Sequence, residues 1–283
     1  MAEPGQVSVV IPAYNEEGAI GAVVRAVSAG APWHEVLVVD DGSSDGTAAA
    51  AEEAGARVIR HPYNKGNGAA VKTGIREAAG AVVLLLDADG QHPPETALTL
   101  VEAVGRFDMV IGARAGADQA WLRAFGNAVL KSFASWLTGR PIADLTSGFR
   151  AARRDRLLEI LHLLPNGFSY PTTSCLALMK AGHSVAFVPV KARRREGKGK
   201  LRPFREGVRF LLIILKVVTL FSPLKVFFPI ALTSFLTGAA YGLWNVWRHD
   251  KIPMGAGLLL QLGVVVFLFG LISEQIAATQ ERR

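Results

Sequence analysis

Ala81-Val82-Val83-Leu84-Leu85-Leu86, followed at once by Asp87-Ala88-Asp89-Gly90-Gln91, is the stretch on which the reading of the fold turns. An apolar run of this length bounded by turn residues reads as a strand buried on both faces. Where such a strand runs out, two carboxylates at i and i+2, with an amide oxygen two residues further on, can converge on one hard divalent cation. Magnesium is usually held by one or two carboxylates plus substrate phosphates. Asp87, Asp89 and Gln91 therefore suit an ion bound to a nucleotide diphosphate better than a stored ion. A solvated acidic loop is the plainer reading of so short a motif, and the flanking sequence decides between the two.

On either side of this stretch, short runs rich in β-branched residues alternate with helical patterns. Val7 to Ile11, Glu35 to Val39, Arg57 to Ile59, Val82 to Leu86 and Met109 to Ile111 read as strands. Between the first two, Ile20, Val23, Val24 and Val27 recur at the spacing of one helix face. Ser43 or Ser44 is expected to cap the next helix, which runs from Thr47 to Ala54. This alternation predicts an α/β domain with a mostly parallel sheet covered by helices. Ligands of such sheets sit at the carboxyl ends of strands, where Asp40-Asp41 follows the second strand and Asp87-Ala88-Asp89 the fourth. A dinucleotide-binding fold requires G-x-G-x-x-G after its first strand, but Pro12-Ala13-Tyr14-Asn15-Glu16-Glu17 stands there. No G-x-x-x-x-G-K-[ST] phosphate loop is present either, so hydride transfer and ATP hydrolysis lose their best support.

Composition adds a membrane. Half of the 283 residues are hydrophobic, above the usual share for a soluble domain once the long apolar runs are counted. Val226 to Trp247 and Ile252 to Ser273 contain no Asp, Glu, Lys, Arg or His. Each is about the 20 residues needed to cross the hydrocarbon layer as a helix. Arg248-His249-Asp250-Lys251 between them makes the pair a hairpin. The start of the chain shows no basic region followed by an apolar core, so no secretory signal is expected. From Pro189 to Lys225 there are eleven Lys and Arg against two Glu, a net +9 that leaves the other residues at −2 of the total +7. The basicity thus belongs to the segment entering the membrane, not to a nucleic-acid surface, and it places that segment on the cytoplasmic side with Arg282 and Arg283. Cys175 is the single cysteine, which excludes an intramolecular disulfide and a cysteine zinc site. The six histidines are scattered, without helical metal-ligand pairs.

Four motifs in order, VSVVIPAYNEE (7–17), VLVVDDGSSDGT (36–47), HPYNKGNGAAVKTGI (61–75) and LLLDADGQHPPE (84–95), resemble the inverting GT-A glycosyltransferases of family 2. Asp144-Leu145-Thr146-Ser147-Gly148-Phe149-Arg150 and the two terminal apolar segments resemble its polyprenyl-phosphate hexosyltransferase branch, which includes dolichyl-phosphate mannose synthase. The resemblance covers nearly the whole chain. It implies a Rossmann-like GT-A domain over residues 1–201 and a juxtamembrane helix over 202–222. A transmembrane hairpin follows over 223–283, with spans of about 224–247 and 252–274. It further implies transfer of a hexose from a nucleotide sugar to an isoprenoid phosphate at the cytoplasmic face of the inner membrane, or of the endoplasmic reticulum in a eukaryote.

Carried over residue by residue, the resemblance puts Pro12, Tyr14 and Glu16 beside the base and ribose and Asp40 and Asp41 beside the nucleoside. Asp87 and Asp89, flanking Ala88 against the donor and joined by Gln91, hold Mg2+ or Mn2+. Arg114 and Arg123 match arginines that face the acceptor phosphate, and Arg150 either joins them or anchors its own loop. Arginine forks suit that task because they grip phosphate oxygens in pairs. A phosphomonoester with a second pKa of about 6 is already a nucleophile near neutral pH, so Asp144 is expected to orient the acceptor or remove its last proton. Arg194, Gly197 and Lys200 fit an R-x-x-G-x-S-K stretch that closes over the diphosphate, with Gly199 in place of the serine.

Arg202, Arg205, Arg209 and Lys216 share one helix face while Phe204, Val208, Leu211, Leu212, Ile214, Leu215 and Val218 fill much of the rest. That pattern predicts an interfacial helix lying among lipid headgroups, ended by Ser222-Pro223. Gly238, Ala239, Ala240, Gly255 and Gly257 allow close helix packing within the hairpin or in a homo-oligomer. Two other functions fit parts of the pattern. A processive membrane polysaccharide synthase of the same superfamily would need Q-x-x-R-W, which Gln119-Ala120-Trp121-Leu122-Arg123 does not supply. A noncatalytic scaffold would have no use for an intact Asp-Ala-Asp-Gly-Gln set.

Overall fold

The computed structural model describes residues 3–90, 94–114, 128, 131–132, 134–136, 138–167, 169–190 and 222–281. The chain divides into two compact units, Met1–Pro203 and Phe204–Arg283. The first is built on a seven-stranded sheet of β1 (Val7–Ala13), β2 (Glu35–Asp40), β3 (Arg57–Arg60), β4 (Val82–Leu85), β5 (Met109–Arg114), β6 (Arg150–Arg153) and β7 (Val185–Val190), in the order β3-β2-β1-β4-β6-β5-β7. β6 runs antiparallel to β4 and β5, and every other pairing is parallel. This is a mixed, mostly parallel GT-A sheet.

The five strands expected from sequence are all present. β6 and β7 were not expected. β6 reads Arg-Ala-Ala-Arg, with nothing β-branched to announce a strand, and it exists because β4 and β5 offer paired edges on both sides. Its reversed direction has a consequence for the site. Arg150 stands opposite Leu85 and Ile111, so the segment that leads into β6 arrives at the edge where β1, β2, β4 and β5 end.

Among the described residues the sheet is accompanied by the helices α1 (Glu17–Gly30), α2 (Thr47–Glu53), α3 (Asn67–Glu77), α4 (Pro94–Ala103), α5 (Arg154–Glu159) and α6 (Tyr170–Lys180). The stripe Ile20, Val23, Val24 and Val27 is buried, as its spacing requires. All seven residues of β1 are buried, and its side chains pack with Val38, Leu84, Leu86, Leu100, Val110 and Phe149 in the core. Leu84 is 0% exposed, and truncating such a side chain to Ala typically costs about 2–5 kcal/mol. That rigidity is what holds the loops at the strand ends.

The second unit holds α7 (Pro223–His249) and α8 (Met254–Glu281), both long and apolar enough to cross a membrane. Each presents small residues inward at a spacing of seven: Ala231 and Gly238 on α7; Ala256, Gly263, Gly270 and Ala277 on α8. A sevenfold repeat keeps one seam of a helix facing its partner. A Cβ on Gly263 would lie 2.9 Å from the Ala231 carbonyl oxygen, and one on Gly238 2.9 Å from the Leu260 amide, so only glycine permits this approach. Ser234 Oγ donates to Leu259 O at 2.9 Å, and Glu274 Oε2 accepts the Leu224 amide at 3.0 Å. The latter satisfies one of the orphan amides at the start of α7. The interfacial helix expected over 202–222 lies outside the described residues, apart from Ser222.

Candidate active site

Two turns at the ends of β1 and β2 are laced together. Asn15, at φ 54°, donates its amide to Ser43 Oγ at 2.9 Å and accepts the Ser44 amide on Oδ1 at 2.9 Å. Glu16 donates its amide to Thr47 Oγ1 at 2.9 Å. Ser43 and Ser44 therefore do not cap α2 as expected. Asp45 takes the Thr47 amide instead, at 3.1 Å, because the serines are engaged by the neighbouring turn. Pro12 is buried and Glu16 half-buried, while Tyr14 is exposed at the rim.

Asp40 and Asp41 are both buried. Asp40 accepts the Ser43 amide at 2.9 Å, and its other oxygen lies 3.2 Å from Arg60 Nε. Asp41 accepts the Lys65 amide at 2.9 Å, the Gly66 amide at 2.8 Å and His61 Nδ1 at 2.7 Å, and His61 Nε2 meets Thr73 Oγ1 at 2.9 Å. The carboxylate thus ties the 63–66 loop and the start of α3 to the end of β2. Gly42, at φ 76°, has no room for a Cβ, which would fall 2.5 Å from the Tyr63 carbonyl carbon. A cavity of about 340 Å³ opens here, lined by Gly42, Ser43, Arg60, His61 and Pro62.

At the end of β4, Asp87 and Asp89 are half-buried and Ala88 is buried. The Asp87 carboxylate lies against the backbone at Gly148, where an added Cβ would be 2.7 Å from both of its oxygens. Oxygen donors of this kind suit Mg2+ or Mn2+. Among the described residues no group of three or more His, Cys, Asp or Glu side chains converges, so any further ligands would come from substrate phosphates and from residues beyond that set.

Arg114 leaves the end of β5 and meets Asp144. Its Nε donates to Asp144 Oδ2 at 2.9 Å and its Nη2 to Thr146 Oγ1 at 2.6 Å. Thr146 also donates its amide to Asp144 Oδ1 at 2.9 Å. Burial pushes the Asp144 carboxyl up, but the Arg114 hydrogen bond and charge and the Thr146 bonds together outweigh it. The net effect holds the carboxyl below its ordinary value. Asp144 is ionised near neutral pH and committed to Arg114.

Arg150 is 0% exposed. Its Nη1 donates to Pro171 O at 2.8 Å and Ser174 Oγ at 2.7 Å, and its Nη2 to Ser147 O. The Tyr170 ring centroid lies 6.0 Å from the guanidinium carbon. Burial draws the Arg150 pKa down, opposed by Tyr170, Cys175, Asp144 and Asp87. Cys175 is buried and its thiol is pushed up to about 12, which leaves it inert.

Glycosyl transferase family 2 matches over residues 8–161, more than half of the chain, and the GtrB C-terminal hairpin over residues 222–279. The chain belongs to glycosyl transferase family 2. It is 34% identical over 214 residues to a dolichyl-phosphate hexose transferase of Haloferax volcanii, covering 74% of this chain and 92% of that protein. It is 30% identical over 292 residues to an undecaprenyl-phosphate 4-deoxy-4-formamido-L-arabinose transferase of Pectobacterium carotovorum, covering 95% and 88%. A polyprenol monophosphomannose synthase of Mycolicibacterium smegmatis is 31% identical over 205 residues, covering 66% and 77%. The fold is shared with glucosyl-3-phosphoglycerate synthase from Mycobacterium tuberculosis, solved with Mn2+, UDP and glucosyl-3-phosphoglycerate. That likeness has a TM-score of 0.62 at 22% identity, over 76% of this chain and 79% of that one.

In this glycosyltransferase the edge of the sheet brings together Pro12, Tyr14, Glu16, Asp40, Asp41, Asp87, Ala88, Asp89, Arg114 and Asp144 from the ends of four strands and the segment before β6. Arg150 lies at the same edge with its guanidinium in the interior, where it anchors a loop. Gln91, Arg123, Arg194 and Lys200 lie outside the described residues. Sequence reasoning missed Asn15, His61 and Gly148. All three sat in motifs already quoted, and the signal of Asn15 and His61 was a short polar side chain in a turn and an imidazole two residues before Tyr63. Gly148 carried no local signal, because its role arises from contact with Asp87, 61 positions away in sequence.

Proposed function

We propose that this family 2 glycosyltransferase moves a hexose from a nucleotide sugar to the phosphate of a polyprenyl or dolichyl phosphate, inverting the anomeric carbon. The donor is GDP-mannose or a UDP-hexose such as UDP-glucose. The observation that carries this reading is the joining of a GT-A unit, with Asp87 and Asp89 half-buried at the end of β4, to a hairpin of the GtrB type. Relatives of matching length that are named as polyprenyl- and dolichyl-phosphate sugar transferases support it.

In the reaction an acceptor phosphate oxygen bonds to the anomeric carbon as the bond from that carbon to the donor diphosphate breaks. Asp87 and Asp89 would hold Mg2+ or Mn2+, with Gln91 as a further ligand. A bound ion there supplies charge neutralisation for the departing nucleoside diphosphate. Asp40 and Asp41 fix the turn beside the nucleoside cavity, and Arg194 and Lys200 are assigned to the diphosphate. Arg114 and Arg123 gather the acceptor phosphate. Asp144, with its lowered pKa, is a poor base for a phosphate group of pKa about 6; its work is to hold the Arg114 fork in place.

The catalytic unit is assigned to the cytoplasmic face, supported by the Lys and Arg flank between Pro189 and Lys225. The test is transfer of labelled sugar from a panel of GDP- and UDP-hexoses into undecaprenyl or dolichyl phosphate, with and without magnesium. Labelling from one donor, dependent on metal and lost in Asp89→Ala, is expected. Absence of labelling from every donor by folded protein would overturn the reading. Since Cys175 is buried, a cysteine placed at His249 reports sidedness by thiol labelling, and modification by an impermeant reagent from the cytoplasmic side would reverse the assignment.

A further inference from the structure

We propose that Gly148 is a positioning residue for the metal end of the site, fixing where the Asp87 carboxylate lies, and that buried Arg150 is the tie that holds Gly148 there. The proposal rests on the reading of Asp87 as a metal ligand. It gives Arg150 an interior task in place of the acceptor contact that the resemblance implies.

Two observations meet at this point. A Cβ at Gly148 would stand 2.7 Å from both Asp87 oxygens, closer than side chains approach, so the carboxylate occupies space that only glycine leaves open. The backbone that offers this space is gripped from the far side. Arg150 donates to Ser147 O and, through Nη1, to Pro171 O and Ser174 Oγ at the start of α6. Ser174 Oγ in turn donates to Pro171 O at 3.1 Å. A fully buried guanidinium is costly to desolvate, and here its forked donors fasten the approach to β6 onto a helix. β6 itself is clamped between β4 and β5 with Arg150 opposite Leu85, two residues before Asp87. The chain on both sides of the Asp87 to Gly148 contact is therefore fixed, and the contact sets the direction in which the carboxylate points. Lysine cannot reproduce the fork, since it offers a point charge rather than paired N–H groups.

The experiment uses the full chain in detergent and titrates Mn2+, alone and with UDP or GDP, reading free Mn2+ by electron paramagnetic resonance. Thermal unfolding is followed alongside. Outer-shell partners of metal ligands typically contribute about 10–100-fold in metal affinity, and Gly148→Ala is expected to weaken Mn2+ binding by that much. Its unfolding temperature should stay near that of the wild type and the KM for isoprenoid phosphate should not move. Arg150→Lys is expected to act in the same direction, and Ser174→Ala more weakly. Ser147→Ala should bind as the wild type, because Ser147 contributes its carbonyl and its buried hydroxyl has no hydrogen-bond partner among the described residues. Asp87→Ala that binds Mn2+ like the wild type would sink the metal reading itself. If Asp87→Ala loses the ion while Gly148→Ala and Ser174→Ala keep it, the positioning proposal alone is overturned. Should Gly148→Ala fail to fold, Ser174→Ala decides: weakened binding supports the proposal and unchanged binding ends it.

Discussion

Two acidic pairs follow two parallel strands of one sheet, and the structure treats them differently. Asp40 and Asp41, after β2, are buried, and the oxygens of Asp41 are taken up by His61 and the amides of Lys65 and Gly66. Asp87 and Asp89, after β4, stay half-buried, with glycine at positions 90 and 148 around them. The difference is one of access: a loop that turns its N–H groups back onto Asp41 closes over the first pair, whereas the half-buried second pair still presents surface that a ligand can reach.

The contrast can be broken most forcefully at Asp89. Asp89→Ala should lower sugar transfer by about 10²–10³-fold, the usual scale for removing one electrostatic contact made in the transition state. Its unfolding temperature should hold, and an equal loss of both would erase the contrast. Asp41→Asn should do the reverse. Leaving a buried hydrogen-bonded group with a poorer partner costs about 1–3 kcal/mol of stability, visible as a lower unfolding temperature, and purified folded variant should keep most of its turnover per molecule.

A smaller effect sharpens the comparison at Asp144, a fifth carboxylate, ionised yet committed to a side chain. Asp144→Asn should reduce kcat about tenfold, equivalent to about 1.4 kcal/mol. Loss of a general base would cost 10²–10⁴-fold, to take the usual range of about two to four decades. The pH profile separates the two as well. Because the folded pKa is lowered, the ionised form and its Arg114 pair are complete above the unfolded carboxylate pKa of about 3.9 and are lost only as pH falls through the lower folded value. Between about pH 5 and pH 8 the wild type should therefore show no limb that Asp144→Asn removes; a limb abolished by the substitution would restore the base.

Much of this arrangement was legible in the chain. Strands β1 to β5 announced themselves through Val and Ile runs, and the residues at their ends came together because parallel strands deliver every carboxyl end to one edge. What stayed hidden was tertiary in origin. β6 has two alanines between two arginines and owes its existence to its neighbours. The interior place of Arg150 was an open alternative in the sequence, since a guanidinium that pins carbonyls and one that grips phosphate carry the same letter. The capping of α2 was misread for a related reason: Ser43 and Ser44 had the right chemistry but were claimed by Asn15. Of the glycines singled out in the hairpin sequence, Gly238 lies on the heptad seam, whereas Gly255 and Gly257 are exposed on either side of Ala256, which does. The repeat of the seam through Gly263, Gly270 and Ala277 needed the partner helix to show which glycines face inward.

That seam makes the hairpin an inverted protein. In the sheet unit bulky residues such as Ile11 and Leu84 are 0% exposed, whereas on the hairpin Leu243 is 72% and Trp247 81% exposed while alanine and glycine fill the centre. Water would drive the first unit together and has little to gain from the inside of the second. Were both helices to span a bilayer, as their length and composition allow, lipid would reverse the account, since hydrocarbon chains would solvate the outer leucines and leave close backbone contact to hold the helices. One polypeptide would then obey two solvents, and a detergent would have to satisfy the outside of the hairpin without dissolving the inside of the sheet.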